Sequence, residues 1–389
     1  MKKICFFTDN ISTIGGIQRC VCMLSNELIK KGIQVDILCT NKFNNGELAF
    51  ELSDKVNVKY VNKVTLINKC LFFWTRFLKN IDFKYGIFRK FPKFQEFIHI
   101  KAKYSRNNNM VFKINEGNYD YVIATGGSMI LMIGSYLEKI NTKVIGWQHS
   151  SCISYFEDED RNYKYLSKLY YSIIKKMYKY IVLTKVDVKW FNDNMNFDCE
   201  CIYNMKTFDT HDITTLENKK FISVGRLVQE KNFDLLIDAF SIFSKKNNEW
   251  VLDIFGGGEE EEHLTKKIQE LKLSDRVFIN NFEKNISKKY LDSSIFITTS
   301  KIEGFGLVLI EAMECGLPVI TTNIPAFKEL VSKKNGYVIE ENTPECLANY
   351  MLKLVNDSEK MQKLSLNNKE EAKKYSRESI VNKWLKILK

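Results

Sequence analysis

Proline is scarce in this chain, with 4 among 389 residues. There is no low-complexity run either, which excludes a proline-rich spacer or a long disordered segment as an organising feature. No apolar stretch approaches the roughly 20 residues that a bilayer-spanning helix needs. The start, Met1-Lys2-Lys3-Ile4-Cys5-Phe6-Phe7-Thr8-Asp9, has the basic-then-apolar order of a signal peptide. Its apolar run is too short and Asp9 interrupts it, so a first buried strand is expected there and the chain is expected in the cytoplasm. Histidine is as rare as proline, and the 10 cysteines form no C-x-x-C pair. Cys20/Cys22 and Cys199/Cys201 are C-x-C pairs that stand near no histidine set. Reduced thiols and no metal site are therefore expected.

Charge is present in quantity and unevenly placed. The formal net charge is +11, all of it in residues 1–200; residues 201–389 balance to zero. Residues 51–113 alone carry +10. Within that region residues 70–106 interleave aromatic side chains with Lys and Arg, among them Lys79, Arg89, Lys90 and Lys93. Such a segment suits an anionic membrane surface, an anionic acceptor or nucleic acid, and equally a solvated helix face.

Short apolar runs alternate with amphipathic helical patterns along the whole chain. Strands are expected at Lys2–Phe7, Ile33–Cys39, Asp120–Thr125, Lys143–Trp147, Tyr180–Leu183 and Cys199–Tyr203. A second series follows at Lys220–Val224, Trp250–Phe255, Val277–Ile279, Ile295–Thr298 and Val319–Thr321. Apolar runs of four to six residues between helices indicate parallel sheets covered on both faces. The chain reads as α/β, with two doubly wound domains, 1–204 and 205–372, and a final helix at about 373–389 that packs back on the first. The polar segment Asn204–Asn218 is the expected boundary. Ligands in such sheets sit at the carboxyl ends of strands, and the cleft between two facing domains is the expected site.

The most specific segment is Glu303-Gly304-Phe305-Gly306-Leu307-Val308-Leu309-Ile310-Glu311-Ala312-Met313, between a strand and a helix. Glycines there let backbone approach a ligand, and the N–H groups of Gly306 and Leu307 are expected to point at an anion such as a diphosphate. Glu311, about one turn into the helix, is expected to face the same ligand, where a carboxylate suits two vicinal hydroxyls. The alternative is a carboxylate favoured by the helix dipole alone.

This spacing resembles the E-x7-E motif of glycosyltransferase family 4, the glycosyl transferases group 1 family. EGFGLVLIEAMECGLPVITT and FISVGRLVQEKNFDLLIDAF are similar to that family's donor domain, and GGIQR resembles its first glycine turn. The resemblance is strong over 221–340 and weaker over Lys3–Cys39. It implies the GT-B fold, two Rossmann-like domains, and retaining transfer from a nucleotide sugar, a UDP-sugar foremost. The acceptor would be a glycan hydroxyl, lipid-linked as for many members, in bacterial-type surface polysaccharide synthesis. It further implies that Glu311 holds the ribose and Glu303 the donor sugar, while Arg226 and Lys231 carry the diphosphate charge. Gly15-Gly16 would close over the donor, with Arg19 beside it, and His149 would lie near the sugar. Gly225, Gly304, Phe305, Gly306 and Leu307 complete the donor set. No metal or other cofactor is expected. Asp158-Glu159-Asp160 is similar to the metal-binding D-x-D of the other glycosyltransferase fold, but reads as acidic residues before a basic helix; Glu259–Glu262 read the same way. Gly256-Gly257-Gly258 suits either a close approach to the nucleotide or a plain loop. A membrane surface is the favoured partner of residues 70–106, which implies a peripheral location. A non-catalytic nucleic-acid- or membrane-binding protein on the same fold is the competing reading, with nucleic acid disfavoured.

Overall fold

The computed structural model describes residues 1–41, 48–61, 69–100, 104–157 and 163–389. Two compact units emerge: Met1–Tyr203 with Ile380–Lys389, and Asn204–Ser379. The chain leaves the second unit at 380 rather than near 373, because residues 373–379 are anchored within it. Tyr375 is buried, its carbonyl accepts the amide of Lys206 at 2.8 Å, and Arg377 donates to the carbonyl of Thr207 at 3.0 Å.

The first unit holds β1 (Lys3–Thr8), β2 (Gln34–Cys39), β3 (Asn57–Tyr60), β4 (Tyr121–Thr125), β5 (Lys143–Trp147), β6 (Lys179–Val182) and β7 (Glu200–Cys201). They form one parallel sheet in the order β3-β2-β1-β4-β5-β6-β7. Phe6 lies between Ile37 and Ile123 in register, so the run Ile4–Phe7 is buried from both faces. Full burial removes any need for polar alternation, which is why the strands read as unbroken apolar runs. An aromatic cluster of Tyr155, Phe156, Tyr170, Tyr180 and Phe191 fills one side of the sheet. The Tyr180 hydroxyl stays satisfied there, donating to Gln148 at 2.6 Å.

The second unit holds β8 (Lys220–Val224), β9 (Val251–Phe255), β10 (Val277–Asn280), β11 (Ile295–Thr298), β12 (Val319–Thr321) and β13 (Gly336–Val338). Its sheet, also parallel, runs β10-β9-β8-β11-β12-β13. Phe221, Phe240, Phe243 and Trp250 anchor its core, each such side chain contributing about 1.5–3 kcal/mol by burial. In each sheet the winding reverses once, between β1 and β4 and between β8 and β11. Loops leaving two adjacent strands in opposite directions at such a point open a crevice at their carboxyl ends. In the second unit those two loops are Gly225–Asn232 and Thr299–Gly306.

Candidate active site

The loop after β8 begins at Gly225, whose amide donates to Phe255 at 3.0 Å. The three glycines after β9 press against this loop. A Cβ on Gly256 would stand 1.8 Å from the Gly225 carbonyl oxygen, and one on Gly258 would stand 2.3 Å from that of Leu227. Leu227 in turn donates to Gly257 at 3.0 Å. The close approach that Gly256 and Gly258 permit is therefore backbone on backbone within the protein. Arg226 projects from the braced turn, exposed and with no side-chain partner among the described residues.

Lys231 ends a single 3-10 turn, Gln229–Lys231, and precedes the helix Phe233–Ser244. Asn232 makes the junction in the left-handed region at φ 52°. The Lys231 ammonium forms an ion pair with the Glu303 carboxylate from the loop after β11; both are partly exposed. Two hydrogen bonds bind the same two loops together: the Lys301 amide donates to the Glu230 carbonyl at 2.8 Å, and the Thr299 hydroxyl to the Lys231 carbonyl at 3.1 Å. The structure thus joins two residues that the sequence assigned separate duties.

Gly306 starts the helix Leu307–Glu314 at φ 94°, where a side chain would be strained and would press on Phe327. The amides of Gly306 and Leu307 meet no protein acceptor among the described residues, leaving a helix N-terminus with open donors. Gly304 and Phe305 are buried, the Phe305 ring lying 5.8 Å from that of Tyr375. They shape the loop from within rather than presenting side chains to a ligand.

Glu311 differs from expectation. It is 1% exposed, and its two oxygens are taken by the hydroxyls of Thr207 at 2.7 Å and Tyr290 at 3.1 Å. A diol reaching this carboxylate must displace one of those hydroxyls. Reading by helical period placed Glu311 on a ligand face and could not show that the segment Lys206–Thr210 covers it. The sequence reading also missed Glu314, one turn on. Buried, it pairs with Lys206 at 2.7 Å and Lys369 at 3.1 Å and accepts the amide of Thr210 at 3.0 Å. Burial opposes the charge on Lys206, but Glu314 and Asp209 outweigh it and raise its pKa above the ordinary lysine value.

The remaining candidates stand in the first unit. Gly15 and Gly16 open the helix Gly16–Lys30 after β1, and the preceding turn is held by the Asn10 side chain, which accepts the amides of Ser12 and Thr13. Gly15 is extended at φ −171°, so its backbone does not require glycine. Arg19 lies over the Phe50 ring at 5.7 Å. His149 follows β5 and packs tilted against Trp147, 4.2 Å between ring centroids. The residue is partly exposed, but Nε2 is sealed and without a protein partner. Burial pushes the imidazole pKa down to about 3, which keeps it neutral at physiological pH. His99, by contrast, is locked to buried Asp82 at 2.8 Å, and His211 is exposed.

One trio among the described residues brings metal-ligand atoms together. Asp234, Glu260 and His263 hold them within 4.8 Å of one another. The Lys267 ammonium already lies 2.9 Å from Asp234 and 2.8 Å from Asp238, so a cation would meet a cation; the trio is an ion-pair cluster. Cys5, Cys22, Cys39, Cys152, Cys199, Cys315 and Cys346 stand outside any disulfide. Asp158-Glu159-Asp160 lie outside the described residues, as do 101–103 of the basic stretch. Residues 70–99 of that stretch lie in the helices Lys69–Tyr85 and Pro92–His99, joined by a 3-10 turn at Ile87–Lys90, and residues 104–106 begin the helix Tyr104–Glu116. Trp74, Phe77, Phe91 and Phe94 are exposed among exposed Arg76, Arg89, Lys90 and Lys93. No helix among the described residues is long and apolar enough to cross a membrane.

Residues 208–371 match the family described as glycosyl transferases group 1. Over its full length the chain is 29% identical to an uncharacterized glycosyltransferase of Haemophilus influenzae, covering 100% of both. It is 36% identical over 170 residues to the poly(glycerol-phosphate) alpha-glucosyltransferase of Bacillus subtilis, a match covering 43% of this chain and 25% of that protein. Among solved structures, Staphylococcus aureus TarM superimposes with a TM-score of 0.76 at 18% identity, covering 100% of this chain and 99% of that one. The pneumococcal O-GlcNAc transferase GtfA, solved with UDP and GlcNAc, gives 0.75 at 15% identity, covering 100% and 98%. The fold is α/β of the GT-B class, with two Rossmann-like domains.

Proposed function

We propose that the chain, whose residues 208–371 match the glycosyl transferases group 1 family, is a hexosyltransferase that moves a sugar from a UDP-sugar to a hydroxyl of a lipid-linked glycan acceptor, with retention at the anomeric carbon. One arrangement supports this above all: a free guanidinium, a lysine and open helix amides converge on the carboxyl ends of β8 and β11, where the sheet reverses. Arg226, Lys231 and the amides of Gly306 and Leu307 bind the diphosphate. Three kinds of donor suffice for its charge, so no metal enters the mechanism. The ribose diol reaches Glu311 by replacing the Thr207 hydroxyl. Glu303, released from Lys231 as the phosphate takes that ammonium, accepts a hydroxyl of the donor sugar. His149, neutral, is the first unit's candidate for contact with the transferred sugar, and Gly15-Gly16 belongs to the acceptor-handling unit.

As the bond from the anomeric carbon to the diphosphate oxygen breaks, Arg226 and Lys231 neutralise the charge left on that oxygen. The acceptor oxygen bonds to the anomeric carbon on the face the diphosphate leaves. Its proton passes to the departing diphosphate. The purified chain is tested first against a panel of nucleotide sugars by thermal shift and slow hydrolysis, which selects the donor. With that donor, Arg226→Ala lowers kcat by about 100-fold or more, the scale of losing one charge-stabilising group. Glu311→Ala mainly weakens UDP binding. Near-wild-type transfer and UDP affinity in both variants would refute the assignment.

A further inference from the structure

The final helix of the chain, Arg377–Ile387, enters the first unit at Ile380 and buries Trp384 there at 1% exposure. The Trp384 ring stands edge-on to Trp147, with centroids 5.0 Å apart and planes at 72°. Trp147, at the end of β5, lies in turn 4.2 Å from His149. Three rings therefore form a continuous chain of edge-on and tilted contacts from the last helix to the loop that carries the candidate sugar-binding imidazole. Phe6 of β1 closes another side of Trp147 at 6.3 Å. The helix end is tied down near the start of these contacts, since the Lys2 ammonium donates to the Leu388 carbonyl and the Tyr121 hydroxyl to that of Lys389. The loop is fixed beyond the histidine: Gln148 donates to Ser150 at 2.7 Å, and the Cys152 amide to buried Asp187 at 2.8 Å. The imidazole itself makes no protein hydrogen bond through Nε2, so ring packing is what sets its plane.

We propose that Trp384, acting through Trp147, is a positioning residue for His149, so that the last helix of the chain belongs to the sugar-handling machinery. This rests on the reading that His149 meets the transferred sugar. Trp384 touches neither substrate; it removes the freedom of the Trp147 ring, and Trp147 removes that of the imidazole. A small displacement of a substrate-positioning group is enough to slow transfer about 10–100-fold.

The test uses the full chain and the donor found in the nucleotide-sugar panel. Trp384→Leu, which keeps apolar volume, is measured beside Trp384→Phe, Trp147→Phe and His149→Asn. The readouts are kcat, donor KM and the His149 Cε1–H resonance, which ring packing shifts. In Trp384→Leu the resonance moves and kcat falls about tenfold with donor KM changed less than about threefold, while Trp384→Phe restores both. Combining Trp384→Leu with His149→Asn adds little to His149→Asn alone, because the two act as a unit. If His149→Asn transfers sugar at the wild-type rate, the reading of His149 fails and the proposal with it. If His149→Asn is impaired while Trp384→Leu leaves kcat or the resonance unchanged, the positioning role alone is overturned. A Trp384→Leu chain that does not fold leaves Trp147→Phe to decide by the same two readouts.

Discussion

Gly256 is a residue whose missing Cβ decides the geometry of a site it does not itself line. Its φ of 159° is open to glycine, and an added methyl would stand 1.8 Å from the Gly225 carbonyl, a backbone atom that cannot swing aside. Gly256→Ala must push the turn bearing Arg226 out of place. A loss of about 2–4 kcal/mol in stability is expected by urea unfolding, together with weaker UDP binding in the fraction that folds. Gly257→Ala is the control, since nothing lies within 4 Å of its added Cβ; equal losses in the two variants would contradict the account. Sequence reading saw the three glycines and left open whether they served nucleotide or loop. The spacing of glycines carries no information about which backbone comes near. By contrast the placement of Arg226, Lys231 and Glu303 in loops at strand ends followed from the sequence, because the apolar runs before them mark where the strands stop. Glu311 was legible in identity but not in state: its cover comes from Thr207, a hundred residues away in sequence, which no local pattern reveals.

The elements followed from the sequence wherever strands were central and apolar. Lys143–Trp147, Lys220–Val224, Ile295–Thr298 and Val319–Thr321 lie where their hydrophobic runs put them. The strands without a matching expectation are β3 and β13, both at sheet edges and short, with polar or glycine positions that imitate loops. The last strand of the first sheet, β7, contracts to Glu200–Cys201 for the same reason. Equally illegible was the strap Lys206–Thr210, which has no periodicity and is held mainly by side chains distant in sequence. Its main anchor makes a testable case. Glu314→Gln leaves Lys206, a buried ammonium, short of its nearest carboxylate, and about 3 kcal/mol of stability should be lost. Lys206→Met in the same chain should recover part of that loss, since it removes the stranded charge. A double variant less stable than Glu314→Gln would show that the ion pair is not the anchor.

The helix pair around Asp82 gives a prediction in pH. Burial pushes the His99 pKa down to about 4, against the opposing pull of Asp82, while the unfolded chain titrates near the ordinary value of roughly 6.5. Between those values the unfolded state binds a proton that the folded state refuses. Stability therefore falls as pH drops from about 6.5 towards 4, at up to about 1.4 kcal/mol per unit. His149, pushed down to about 3, acts in the same direction. From pH 6.5 to 5, His149→Asn should lose about 1–2 kcal/mol less than the wild type in chemical denaturation. Identical acid slopes would mean that the imidazole is solvated and charged in the folded chain.

At the scale of the whole molecule the charge is segregated: the excess of +11 lies in residues 1–200, and the other half is neutral. A uniform excess would serve solubility alone. Here the basic side chains Arg76, Arg89, Lys90 and Lys93 accompany exposed Trp74, Phe77, Phe91 and Phe94 on two consecutive helices and the turn between them. Exposing this many large aromatics to water is unfavourable, and an anionic lipid surface would offset it twice, by taking the rings into the headgroup region and by pairing the cations. Each basic side chain near such a surface is worth about 1 kcal/mol, so replacing Arg89, Lys90 and Lys93 by Gln should weaken binding to phosphatidylserine-containing vesicles by about 100-fold in sedimentation. The loss should shrink as salt rises past physiological strength, where screening acts within about 8 Å. Phe91→Ser with Phe94→Ser should weaken binding at every salt concentration, because burial of rings is not screened. Transfer to a short water-soluble acceptor should be unchanged in both variants, since none of these residues belongs to the donor site. Equal binding to neutral and anionic vesicles would remove the electrostatic half of the argument, and tighter binding to oligonucleotides than to any vesicle would turn the surface over to nucleic acid.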